Sequence, residues 1–278
     1  MTEQHVRKPD WLKTRLGGSD TFMATKRLVD AHRLHTICAS GRCPNRDECW
    51  SRGTATFMIG GDICTRACRF CNTRTGRPAP LDPHEPARVA ESIRVMALTR
   101  AVVTSVDRDD LPDLAAGHWH ETLRLVKAAS PAIALEALIP DFQGRMALVD
   151  TVMRAAPDVA SHNLETVRRL TPHIRSAARY DRSLAVLARI AASGATAKTG
   201  IMVGLGETPD EVDELMDDAR RAGVTILTVG QYLQPSRRHV AVAEYVTPAR
   251  FDAYRATALA KGFTRVESAP MVRSSYRI

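Results

Sequence analysis

From residue 54 onward, short runs of apolar, largely β-branched residues alternate with longer stretches whose apolar positions recur at helical spacing. The short runs are 54–61 (TATFMIGG), 101–106, 133–138, 159–162, 196–203 and 225–230. Each is nearly unbroken in hydrophobicity, the pattern of parallel strands covered on both faces. Between them, residues 86–98, 119–129, 143–155, 182–192 and 210–222 carry helical periodicity, and a last helix is predicted at 248–261. Six strands in series, each followed by a helix, predict an α/β fold, a parallel (β/α)6 partial barrel of the TIM type. Ahead of it, Phe22, Met23, Leu28, Val29 and Leu34 have helix spacing and predict a helical N-terminal extension running up to residue 38. A short C-terminal extension, GFTRVESAPMVRSSYRI, follows the last helix. Nothing rich in Pro, Gly or Ser separates these parts, so one domain is expected, built of an extension 1–53, a barrel 54–247 and a C-terminal helix and tail 248–278.

Composition adds limits. A chain of 278 residues is long enough to bury roughly three quarters of its unfolded surface. No apolar run approaches the ~18 residues of a membrane span. The start MTEQHVRKPDWLK lacks the apolar stretch of a signal peptide, and Glu3 and Asp10 are foreign to an Arg-rich transit peptide. A reducing cytoplasmic location is therefore expected, where disulfides are a poor account of six cysteines. With 39 basic against 31 acidic residues the formal charge is +8, which suits an acidic partner or solubility alone and does not choose between nucleic acid and protein.

All six cysteines lie between residues 38 and 71, in two different spacings. Cys38, Cys43 and Cys49 read C-x4-C-x5-C, and Cys64, Cys68 and Cys71 read C-x3-C-x2-C. The second set follows the first predicted strand, and the loops after strand C-termini are where a parallel barrel gathers function. Three thiolates from one loop can serve three irons of a cubane and leave the fourth iron without a protein ligand, whereas an electron-transfer cluster has four cysteines. A structural zinc site also wants four ligands, and no further Cys or His stands in this loop.

Other residues at predicted strand ends would face the same mouth. Ser105 and Asp107 end the second strand, Asn163 and Glu165 follow the fourth, and Gly204, Gly206 and Glu207 follow the fifth. The Gly-Leu-Gly-Glu stretch alone is also an ordinary strand-to-helix turn. Asp107, Asp109 and Asp110 could suggest a divalent cation, but a loop that caps helices and pairs with arginines such as Arg108 is the stronger reading. His32, His35, His118, His120 and His162 have no metal-ligand spacing, and a satisfied polar contact is the default for each.

The second cysteine set, with Phe70 just before its last member, resembles the signature of the radical S-adenosylmethionine superfamily. The first set, in HTICASGRCPNRDECWSRGTATFMIGGDICTRACRFCNTRTGRP, resembles the auxiliary-cluster region of the lipoyl synthase family. The likeness continues through RKPDWLK (7–13), VVTSVDRDDLPD (102–113), LIPDFQGR (138–145), HNLETV (162–167), GIMVGLGET (200–208), GQYLQPSRRH (230–239) and VRSSY (272–276). It implies two [4Fe–4S] clusters and S-adenosylmethionine. Cys64, Cys68 and Cys71 would hold the cluster whose open iron is chelated by the amino and carboxylate groups of S-adenosylmethionine, which is cleaved to a 5′-deoxyadenosyl radical. Phe70 would pack near the adenine, and Ser105, Asp107, Asn163, Glu165, Gly204 and Glu207 are implied as further contacts. Cys38, Cys43, Cys49 and one serine of the terminal Arg-Ser-Ser-Tyr, placed at Ser275, would ligate the auxiliary cluster, with Arg273 near it and the C-terminal tail closing over it. That cluster is the sulfur donor, consumed as two sulfurs enter C6 and C8 of an octanoyl-lysine.

The implied partners are octanoylated lipoyl carrier domains, namely acyltransferase subunits of dehydrogenase complexes and the glycine-cleavage H protein. Reduced ferredoxin or flavodoxin would supply electrons and a carrier protein would repair the spent cluster. Neither nucleic acid nor membrane is implied, and the basic surface would meet acidic residues around the modified lysine. Two other readings compete. Enzymes of tRNA methylthiolation also combine two three-cysteine clusters, but with wider N-terminal spacing and a C-terminal RNA-binding domain. Here only residues 231–278 follow Gly230, without basic-aromatic interleaving. A non-catalytic metal or iron–sulfur module is disfavoured by the six-unit barrel and the open-iron spacing. The sequence stops two residues after Tyr276, which would set the Ser275 ligand near a free carboxylate.

Overall fold

The computed structural model describes residues 8–12, 19–32, 34–51, 56–175 and 177–275. Residues 1–7, Arg33, Thr54, Ala55 and Tyr276, on which some of the expectations above fall, lie outside them. The N-terminal part forms α1 (Asp20–Ala31), β1 (His35–Thr36), α2 (Ile37–Ser40) and α3 (Arg46–Ser51). The Ser19 hydroxyl accepts from the Phe22 N–H at 3.1 Å and starts α1. There follow β2 (Thr56–Ile59), β3 (Ile63–Cys64), β4 (Arg74–Thr75), α4 (Glu85–Val95), β5 (Arg100–Ser105), α5 (Ala116–Ala129), β6 (Ala134–Leu138), α6 (Met146–Met153) and β7 (Val159–Ser161). The chain continues as α7 (Thr171–Ile174), α8 (Tyr180–Ala192), β8 (Thr196–Val203), α9 (Pro209–Arg221), β9 (Ile226–Gln231), α10 (Pro248–Ala260) and β10 (Arg265–Ser268). Thr208 and Glu211 form a reciprocal capping box with Pro209 in the first turn, so α9 begins where its sequence dictates.

The main sheet has the order β1-β2-β5-β6-β7-β8-β9-β10. All its neighbours are parallel except β1, which runs antiparallel to β2 with His35 opposite Met58. Among the described residues nothing pairs β10 back to β1 or β2, so the barrel is open. The six expected strands are present, and the structure adds a seventh parallel strand, β10, and the edge strand β1. Residues 35–36 were expected to continue a helix; α1 instead stops at Ala31, and the free edge of β2 supplies His35 and Thr36 with ladder partners.

Alternate strand residues divide two environments. The outward set, including Phe57, Val103, Leu135, Val203, Leu227 and Val229, is buried against the helices. Burial of each large aliphatic or aromatic side chain contributes about 2 kcal/mol. The inward set is largely polar or small: Thr104, Glu136, Lys198, Gly200, Thr228 and Gly230. The barrel interior is thus a site, not a core.

Candidate active site

Gly60 and Gly61, with φ of +82° and +97°, turn the chain out of β2 into the loop that carries the second cysteine set. This loop is tied down on several sides. Val240 N donates to Arg69 O at 3.0 Å, His239 Nε2 donates to Cys71 O at 3.0 Å, and Asn72 Nδ2 donates to Ser40 O at 2.9 Å. Backbone N–H groups of Arg66 and Asp107 point at Cys64 Sγ from 3.4 and 3.3 Å, and that of Thr73 at Cys71 Sγ from 3.4 Å. Burial pushes the free thiols up, Cys64 to about 11 with Asp107 adding to the shift, and Cys68 to about 12. Cys71 and Cys38 are raised for the same reason. A metal group entering here must displace these protons. Among the described residues no three His, Cys, Asp or Glu side chains converge on a point that could hold one ion. A structural zinc takes four ligands around one point, whereas an iron–sulfur cluster takes one thiolate per iron and tolerates wider separation.

Both cysteine sets open onto one cavity of about 530 Å3. Cys64, Cys68 and Cys71 line one part of its wall, and Cys38, Cys43 and Ser275 line another. Phe70, Ser105, Asp107, Asn163 and Glu165 are also in the wall, as their strand ends predict. Cys49 is not; it packs beside Cys43 and Phe22 against Cys38 and Trp50. Gly204 and Glu207 are also outside the wall. The Glu207 carboxylate turns back to accept from Gly204 N at 2.5 Å and Leu205 N at 2.9 Å, and a Cβ on Gly204 would lie 2.4 Å from Glu244 O. This is the strand-to-helix turn that the sequence also allows at this position.

The electrostatics around the wall centre on Arg66, Arg108 and Arg175. Arg66 holds Asp109 through both oxygens at 2.7 and 2.9 Å, Asp141 at 2.7 Å and Asp107 at 3.4 Å. Arg108 takes Asp110 at 2.9 and 2.8 Å. The acidic string is thus occupied by arginine, as the stronger of its two readings expects. Arg175 donates to the carbonyls of Asn163 and Leu164 at 3.1 and 3.3 Å, while its Nε, and Asn163 Oδ1, are buried without a partner. Glu165 sits at φ +66°, a left-handed conformation uncommon for glutamate, and Asn163 Nδ2 donates to its Oε1 at 3.0 Å. Burial raises Glu165, and Arg175 opposes that shift. An unpaired buried guanidinium N–H beside a carboxylate and an unpaired amide oxygen suits a zwitterion bearing an ammonium and a carboxylate.

Another part of the wall joins the first cysteine segment to the C-terminal tail. Asn45, between Cys43 and Cys49, donates from Nδ2 to Met271 O at 2.6 Å. Arg273 stands beside Cys43; burial lowers its guanidinium and the Cys43 thiol opposes the shift. Of the histidines, His162 is satisfied by Ile139 O and Ser183 Oγ, both at 2.9 Å, and His118 by Glu85 at 2.7 Å, so the default for both holds.

The profile of the Radical SAM superfamily matches residues 58–219. The chain is 68% identical to the lipoyl synthase of Parabacteroides distasonis, covering 98% of this chain and 97% of that one. It is 54% identical to the lipoyl synthase of Treponema denticola, covering 97% and 93% respectively. Among solved structures, Streptococcus suis SuiB bound to S-adenosylmethionine superposes with a TM-score of 0.59 at 10% identity, over 82% of this chain and 55% of that one, which shows a shared fold. With its two halves of the cavity wall matched across nearly the full length of such relatives, the chain belongs to the lipoyl synthase family of the radical S-adenosylmethionine superfamily.

Proposed function

We propose that this protein inserts two sulfur atoms at C6 and C8 of an octanoyl-lysine on a lipoyl carrier domain. The observation that carries the reading is the single cavity onto which Cys64, Cys68, Cys71, Cys38, Cys43 and Ser275 all open. Cys64, Cys68 and Cys71 would hold one [4Fe–4S] cluster there, and Cys38, Cys43 and Ser275, with Cys49 from behind the wall, would hold the other. When bound, these clusters and S-adenosylmethionine supply one-electron cleavage of a carbon–sulfur bond and sulfide for transfer.

The chain's own residues bind, orient and shield. Arg175 Nε is free to take the carboxylate of the methionine moiety, and Asn163 Oδ1, beside the Glu165 carboxylate, is free to take its ammonium. Phe70 offers an aromatic face to the adenine. Trp119 Nε1 donates to Ser105 Oγ at 3.2 Å and leaves that hydroxyl able to donate into the cavity. Arg66 offsets part of the negative charge of Asp107, Asp109 and Asp141 beside the cluster loop. Gly204 and Glu207 shape the turn after β8.

The extension 1–53 and the tail 248–278 form the auxiliary half, and 54–247 the radical half. The carrier domains are those of dehydrogenase-complex acyltransferases and the H protein. The excess of basic residues favours docking to the acidic surroundings of their lysine. Reduced ferredoxin or flavodoxin donates electrons, a carrier protein rebuilds the spent cluster, and the protein works in the cytoplasm. Paired variants test the division of labour. Cys68→Ala should abolish 5′-deoxyadenosine formation, whereas Ser275→Ala should leave it and lose sulfur insertion. Equal loss of both activities in Ser275→Ala contradicts the assignment.

A further inference from the structure

The tail that carries Ser275 runs over a buried charge pair that the chemistry above does not use. Lys198 in β8 and Glu136 in β6 are 0% and 1% exposed, with Nζ 2.7 Å from Oε1. Ser161 Oγ donates to the same carboxylate oxygen at 3.0 Å. A buried ion pair adds little net stability compared with well-packed apolar groups, so its presence asks for another reason. The second contact of the ammonium supplies one: Nζ also donates to the carbonyl of Ser274.

The barrel wall is shaped for the same segment. On Gly230 of β9 a Cβ would stand 2.1 Å from Val272 O, and on Gly200 of β8 it would lie 3.3 Å from the Ser274 Cβ. Two adjoining strands therefore clear their inner faces where the tail passes. On the other side, Asn45 from the first cysteine segment holds Met271 O at 2.6 Å. The tail is pinned on both sides of Arg273, by the cluster-bearing extension before it and by the barrel after it.

We propose that Lys198, oriented by Glu136, is a positioning residue of the auxiliary site, fixing the Ser274 carbonyl so that the next residue presents its hydroxyl to the cavity. The inference rests on the ligand role given to Ser275 above, but its geometry stands independently of that role. Leaving either charge alone in the barrel risks the fold, so the test replaces both, Lys198→Met with Glu136→Met, apolar groups of comparable length. Two quantities are read on the full chain. One is hydrogen exchange of the segment 272–275 before cluster reconstitution. The other is iron per chain together with 5′-deoxyadenosine formation after it. The expected result is tail exchange faster by about tenfold or more. Iron should also fall by about half, with 5′-deoxyadenosine formation retained. Unchanged tail exchange overturns the proposal. Faster exchange with undiminished iron upholds the anchor and overturns the ligand role of Ser275, so the two failures are told apart.

Discussion

Asp107, Asp109 and Asp141 converge on the guanidinium of Arg66, whose side chain is 5% exposed. Arg66 holds the Asp141 carboxyl down at about 2. Nearby His162 obeys the opposite logic. Burial, reinforced by Arg175, brings its imidazole down to about 4. In the unfolded chain it binds a proton from about pH 6.5 downward. Its contribution to stability is therefore complete above pH 6.5 and is lost as pH falls through about 4, a total of about 3 kcal/mol. Denaturant titrations across that window should show His162→Gln less pH-dependent than the parent. Parallel pH slopes contradict a buried neutral imidazole. Neither Arg66 nor Arg175 was legible in the sequence: the carboxylates to which Arg66 donates lie 43 and 75 positions away, and Arg175 binds backbone carbonyls, which no sequence pattern marks. An arginine at a variable position of the cysteine motif, or outside any motif, looks like surface charge. The acidic string at Asp107, Asp109 and Asp110 was the available hint that a cation lay opposite.

At the scale of elements, the parallel strands were readable because each is a short, nearly unbroken apolar run between helical patterns. What escaped was short or at an edge. β10 has one aliphatic residue, Val266, and β1 has only His35 and Thr36, so neither shows a period. The helix expected at 143–155 starts at Met146, since Phe142 and Gln143 take φ of +43° and +52°, incompatible with a right-handed helix. Gly230 looked like an ordinary strand end, yet it is the place where β9 lets the tail through. Gly230→Ala should displace the tail, lower stability by about 1–3 kcal/mol and reduce auxiliary iron while the other cluster loads normally. Denaturant unfolding and iron analysis check this, and full iron loading in that variant contradicts the packing described.

For the whole molecule, the two cysteine sets were legible because each is local in sequence. That they share one cavity was not, since it depends on contacts such as Asn45 with Met271 across 226 positions. The fold supplies what spacing could not: an open parallel barrel whose inner face is polar, roofed by an extension from each end of the chain. Such a chamber has room for chemistry that draws on both cysteine sets. The most direct test is mass spectrometry of an octanoylated lipoyl-domain peptide after anaerobic incubation with the reconstituted protein, S-adenosylmethionine and dithionite. The account predicts a product that has gained two sulfurs with loss of hydrogen. Formation of 5′-deoxyadenosine with an unchanged peptide would contradict it.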